Sequence, residues 1–196
     1  MLRIRPATLP DLPGVYRVCL LTGDSGRDGS ALFQDPDLLG HIYVGPYVVG
    51  QPGTELVLVD DFGVAGYLLA ADDTRAYEAW ADAEWWPRLR DRYPLRDDDT
   101  PDSRLVRLIH APERSPDEVM RDYPAHLHID LMERARGQGL GKMLVERLLT
   151  DLRGRGIRGV HLDVAADNLN AKAFYGHLGF KGLAPAPESL MGLRLD

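Results

Sequence analysis

The chain has 196 residues, 44% of them hydrophobic and 27% charged, which suits one folded domain with a well-buried core. A formal net charge of −7 is the opposite of what a general nucleic-acid-binding surface needs, and no apolar run approaches membrane-spanning length. The lone cysteine, Cys19, has no partner for an internal disulfide, and residues 1–5 enter a strand rather than a signal peptide; a reducing compartment, the cytoplasm, is therefore expected.

In chain order, residues 2–5 read as a strand. Leu12, Val15, Tyr16, Cys19 and Leu20 then share one helical stripe, with Pro10 and Pro13 tolerated near its first turn and Cys19 serving as packing. Residues 22–30 form a glycine-rich loop, and a short helix is expected around residues 37–47. Residues 55–60 and 64–70 read as a hairpin closed by Asp61-Phe62-Gly63. Tyr77, Trp80, Ala81, Trp85 and Leu89 suggest an additional helix, residues 97–102 a polar break, and Asp117–Asp122 another short helix. Ala125–Leu131, a helix over residues 140–153 and a strand at residues 160–164 make a parallel crossover unit. Ala171, Phe174, Tyr175 and Leu178 fall on a helical stripe that Gly179 terminates, and residues 183–195 should close the sheet. Without an internal repeat or a linker, residues 1–196 are expected to form a single domain.

The stretch Arg136-Gly137-Gln138-Gly139-Leu140-Gly141-Lys142 lies between an apolar strand and an apolar-periodic helix. Such a turn points several backbone N–H groups at one place, where the helix dipole adds positive potential, so it favours a phosphate-bearing ligand. Met143 follows Lys142 where a nucleotide-binding P-loop needs Ser or Thr, and the glycines are not spaced as in a dinucleotide fingerprint. The pattern Arg-x-x-Gly-x-Gly resembles the pyrophosphate loop of the GNAT superfamily of N-acetyltransferases. Some thirty residues on, Asn168, Ala171, Tyr175 and Gly179-Phe180 resemble the superfamily's second signature.

The resemblance implies an α/β GNAT fold, with a central mixed, mostly antiparallel sheet flanked by helices and here a helical insertion around residues 74–123. Thr22-Gly23-Asp24-Ser25-Gly26, Pro36-Asp37-Leu38-Leu39-Gly40, Gly63-Val64-Ala65-Gly66-Tyr67 and Trp85-Trp86-Pro87 are similar to one branch. That branch is the acetyltransferase-like domain of O-GlcNAcase and its stand-alone bacterial relatives. The resemblance implies acetyl-CoA as cosubstrate, no metal, and an amine acceptor, small molecule or protein, that attacks the thioester directly. Coenzyme contacts are implied at Leu131 and Met132, along Arg136, Gly137, Gln138, Gly139, Leu140, Gly141 and Lys142, and at Asn168 and Phe174. Tyr175 matches the position that protonates the leaving thiolate in many relatives. A second reading is a non-catalytic acetyl-CoA-binding module serving as sensor or interaction domain, because the branch's eukaryotic member lacks a complete loop.

On residues 125–131, Ala125, Leu127, Ile129 and Leu131 share one face and His126, His128 and Asp130 the other; His161 and Asp163 share a face of the next strand. Parallel pairing would bring two His-x-Asp pairs together. A metal site, a structural hydrogen-bond network and an acceptor-amine site with Asp130 or Asp163 as base all remain open, Asp130 lying nearest the strand end. Cys19 is expected far from the loop. Acidic residues at positions 24, 28, 35, 37, 72, 73 and 97–99 tilt the field toward a cationic acceptor. Exposed sheet edges permit a homodimer.

Overall fold

In the computed structural model, residues 2–165, 167–184, 187 and 189–195 are described. They form a seven-stranded sheet of order β1-β2-β3-β4-β5-β7-β6. β1 (Arg3–Pro6), β2 (Gly53–Asp60) and β3 (Gly63–Ala71) are antiparallel neighbours, as are β3 and β4 (Ala125–Leu131). β4 runs parallel to β5 (Gly159–Asp163), while β7 (Leu190–Arg194) is antiparallel to both β5 and β6 (Lys181–Gly182). This is the mixed, mostly antiparallel α/β sheet the sequence implies. Within the expected closing segment, positions 185, 186 and 188 lie outside the described residues.

Both faces of the sheet are covered, which is why β3 is buried from Ala65 to Ala71 instead of alternating with polar residues. Tyr67, Leu69 and Ala71 meet α1 (Leu12–Thr22), α2 (Leu38–Tyr43), α3 (Gly45–Gly50) and the inserted helices. Leu68 and Ala70 face the other core with α8 (Leu140–Gly154) and α9 (Leu169–His177). Leu144, Val145, Leu148, Leu149 and Leu152 place one stripe of α8 in that core, each fully buried side chain contributing about 1.5–3 kcal/mol.

The helix expected at residues 37–47 is two helices. Pro46 cannot continue the first because its ring would strike the carbonyl one turn back, and the chain breaks at Val44. The insertion holds α4 (Thr74–Trp80), a π turn (Ala81–Trp85), α5 (Trp86–Arg92), α6 (Pro101–His110) and α7 (Asp117–Asp122). In the π turn the Trp86 N–H reaches back to Ala81 O, just ahead of Pro87, which has no N–H to give. Helix α6 begins inside the segment that reads as a polar break, residues 97–102. Thr100 caps it through Ser103 N, Pro101 opens it, and Leu105, Val106 and Ile109 bury one stripe. Asp102, seemingly a solvated charge, is buried and accepts from the N–H groups of Gln34 and Asp35, tying the long loop before α2 to α6.

Candidate active site

Beyond Leu131 the chain makes a 3-10 turn (Glu133–Ala135) and enters the glycine-rich loop. Gly137 and Gly139 have φ of +72° and +74°, the left-handed region that a β-carbon disfavours, and an added Cβ at either would meet nothing within 4 Å. These two glycines are needed for backbone conformation, not for packing. Gly139 is the N-cap of α8 without a side-chain cap, and the first turn of that helix holds no acidic residue. Its leading N–H groups therefore point outward without an internal anion to satisfy them. A Cβ on Gly141 would stand 3.3 Å from Leu131 Cδ1 and 3.5 Å from the Phe174 ring, so β4, α8 and α9 meet closely at this point.

The loop is held from its flanks. Gln138 Nε2 donates to Arg134 O at 2.9 Å, and Arg134 pairs with Asp60 at 2.7 Å. The Arg136 side chain, expected among the coenzyme contacts, is committed to two main-chain carbonyls. It donates to Leu131 O and Gly26 O, both at 2.7 Å, and thereby joins the loop to the strand end and to the segment at residues 22–30.

Strands β4 and β5 pair only at Ala125↔Val160 and His126↔His161 and then separate. The bond from Met132 N to Ala65 O sets the phase of the β3–β4 ladder, so the alternate N–H groups of Ile129 and Leu131 face the opening between β4 and β5. Two adjoining clefts fill this opening. The smaller, about 410 Å³, is lined by Thr22, Gly26, Asp130, Asp163, Asn168 and Tyr175. The larger, about 810 Å³, has Tyr43, Tyr47, Tyr77, Glu113, His126 and His161 in its walls, and shares His128 and Asp163 with the first.

Asp130 and Tyr175 thus line one cleft beside the loop. The buried Tyr67 donates its hydroxyl proton to Asp130 Oδ2 at 2.6 Å, and His128 Nε2 lies 3.6 Å from the same oxygen. Burial pushes the Asp130 carboxyl above the usual carboxylate range, against the opposing pull of His128, the Tyr67 and Thr22 hydroxyls and Arg136. Burial, and next the Asp130 charge, also raise the Tyr175 phenol, so it is neutral at physiological pH; its ring packs edge-on against Phe174 and Phe180. Asn168 Oδ1 caps α9 through Ala171 N at 3.1 Å.

One expectation is corrected. The two His-x-Asp pairs do not face one another: His126, not His128, is opposite His161, which leaves Asp130 two residues beyond the level of Asp163. Asp163 sits exposed at the end of β5 and accepts from Ser189 Oγ at 3.3 Å. α1 crosses β3 and β4 and sets Cys19 in the wall of the smaller cleft, whose lining includes none of residues 136–142; burial drives its thiol pKa upward, so it is no nucleophile. Trp85 and Trp86 pack with the insertion, Trp86 buried and Trp85 donating Nε1–H to His41 O. Tyr43, Tyr47 and Glu113 carry no local pattern that marks them for the clefts, while Tyr67 and Tyr77 stand in the sequence only as part of a motif and of a packing stripe. Tyr67 is paired with Asp130 only through the β3–β4 register. Among the described residues, no three His, Cys, Asp or Glu side chains are grouped to hold a metal ion, and no helix is long and apolar enough to cross a membrane.

A strand that parts from its parallel neighbour where a bare glycine turn opens the next helix is the architecture of an acyltransferase that works on a coenzyme thioester. The chain belongs to the acetyltransferase (GNAT) family, whose description matches residues 72–180. It is similar to SsHAT, whose crystal structure superposes with a TM-score of 0.90 at 36% identity, covering 100% of this chain and 98% of that one. Protein O-GlcNAcase of Rattus norvegicus is 26% identical over 180 residues, or 90% of this chain. The chain spans about a fifth (20%) of that relative's length. A GNAT family acetyltransferase from Brucella melitensis, solved in complex with acetyl-CoA, shares the fold at a TM-score of 0.53 and 16% identity, with 100% and 89% of the two chains covered.

Proposed function

We propose that the protein transfers the acetyl group of acetyl-CoA to an amine by direct attack, with no covalent enzyme intermediate. The single observation that carries this reading is the convergence of Asp130 and Tyr175 on one cleft at the mouth of the β4–β5 opening, whose Gly26 wall is tied to the glycine loop by Arg136. Backbone amides over residues 136–142 would hold the coenzyme's diphosphate, and the uncapped, acid-free start of α8 suits that charge. Leu131 and Met132 at the strand end, with Asn168 and Phe174 on α9, would border the pantetheine arm. The thioester supplies the activated acetyl group.

The acceptor nitrogen forms the new bond to the carbonyl carbon and gives its proton to Asp130, whose raised pKa makes it a better base than an exposed carboxylate. The N–H groups of Ile129 and Leu131 face the opening where the carbonyl oxygen gains charge, a contribution of about 2.7–4 kcal/mol at known oxyanion sites. When the carbon–sulfur bond breaks, the neutral Tyr175 phenol protonates the thiolate. Asp163, exposed on the shared wall, orients the incoming amine. Release of free coenzyme thiol with a panel of amines tests the reading. Saturable acetyl-CoA binding without amine-dependent thiol release would establish the alternative, a non-catalytic binding module; likeness to O-GlcNAcase, a protein named for a different chemistry, favours that second reading.

A further inference from the structure

Apart from the His128 and Asp163 wall it shares with the smaller cleft, the larger cleft has no part in the chemistry above, yet its floor is built with care. His126 and His161 lie side by side in the parallel pairing, ring centroids 5.7 Å apart. Hydrogen-bond accounting fixes both tautomers. Thr74 Oγ1 is 2.7 Å from Pro124 O and 2.8 Å from His126 Nδ1. A carbonyl only accepts, so the hydroxyl proton goes to Pro124 and the contact with His126 is donated by Nδ1–H. His161 Nδ1 likewise carries its proton toward Tyr123 O at 2.8 Å, and its Nε2 accepts from Ser115 Oγ at 3.0 Å. His126 keeps a bare Nε2 that has no partner among the described residues.

That ring is rigidly held and neutral. Tyr47 and Tyr77, stacked 4.7 Å apart, clamp it edge-on at 5.5 and 4.9 Å. Burial first, then the neighbouring His161 and His128, lower its pKa to about 3. The carboxylates of Glu113 and Asp163 line the same cleft, whereas Arg114, the one Lys or Arg among its described lining residues, is held by Asp82 at 2.7 Å and Glu78 at 3.7 Å. An N–H-bearing cation is the ligand that a lone-pair acceptor, tyrosine walls and surplus negative charge suit together. His126 and Asp130 share a face of β4 four residues apart, about 13 Å along the strand.

Resting on the acetyl-transfer reading, we propose that His126 Nε2 and Glu113 form a second subsite, which holds the distal ammonium of an elongated dicationic acceptor, a linear diamine or polyamine, while its other amine is acetylated beside Asp130. The test measures kcat/KM for diamines from diaminopropane to diaminododecane, for spermidine, and for monoamines of matched length. Efficiency should peak where the two nitrogens are about 13 Å apart and exceed the matched monoamine about tenfold, the value of one charge-assisted hydrogen bond. His126→Phe and the surface change Glu113→Gln should each bring the diamine-to-monoamine ratio near unity. A flat length dependence, an unchanged ratio in both variants, or a basic peptide outperforming every diamine would overturn the proposal. If no amine is acetylated, the transfer reading fails on its own. Calorimetric titration of decanediamine and decylamine into coenzyme-saturated protein then decides the subsite: tighter diamine binding lost in His126→Phe supports it, and equal binding refutes it.

Discussion

The glycine loop and the cleft beside it are adjacent but built by opposite means. Between Gly137 and Lys142 the recognising groups belong to the main chain; side chains serve mainly to be absent, as at Gly139, or to brace the turn from outside, as Arg136 and Gln138 do. In the cleft the reverse holds. Asp130, Tyr67, His126, Thr74 and Tyr175 come from two strands and two helices, and every relevant property depends on which neighbour each side chain meets. A site made of backbone tolerates side-chain drift and is broken by a wrong φ. A site made of side chains is broken by single-atom changes that leave the backbone untouched.

Five changes would sharpen or break that contrast. The largest effect is expected from Asp130→Asn, which should lower kcat about 10²–10⁴-fold while acetyl-CoA affinity by calorimetry stays within about twofold. The same change should raise the Tm at neutral pH. With a folded-state pKa above the unfolded value, Asp130 favours folding below the unfolded pKa, and that contribution is lost as pH rises through the folded one. A lower Tm would contradict the burial argument. Gly139→Val should cost about 10²-fold in coenzyme affinity with an unchanged circular dichroism spectrum, since the new side chain meets open space but the left-handed φ is denied to it. Retained affinity would mean that the backbone conformation is not what binds.

Tyr175→Phe is expected to reduce kcat by about 10–100-fold without altering coenzyme binding, because it removes a proton donor and no packing surface. Tyr67→Phe should act through pH. Losing a hydrogen bond that favours the Asp130 carboxylate moves the acid limb of kcat/KM to higher pH, so the rate falls more below neutrality than above it. A uniform loss at all pH values would assign Tyr67 to packing alone. The smallest effect on activity belongs to Asp11→Asn, remote from both regions. Arg5 grips Asp11 at 2.6 and 2.7 Å and, with Thr8, holds its pKa down to about 2. That stabilisation, about 2 kcal/mol, is present above the ordinary aspartate pKa and is lost as pH falls through about 2. Urea denaturation at neutral and acid pH should show the difference between variant and wild type disappear.

What the sequence determined by itself is what local chemistry dictates. The β4 bounds, the hairpin turn at Gly63, the apolar stripe of α8 and the glycine loop follow from period, turn residues and φ, each a property of a few consecutive residues. Helix α6 was equally legible, with Thr100-Pro101 opening a stripe, and was hidden only by the acidic run before it. Tertiary structure alone decided the rest. The two-residue offset between Asp130 and Asp163, the Tyr67 hydroxyl under Asp130, the presence of Cys19 in the cleft wall and the bare nitrogen of His126 all depend on strand register and helix crossing. Register is set by how whole faces pack, and that information is spread over the entire core instead of residing near the residues it brings together.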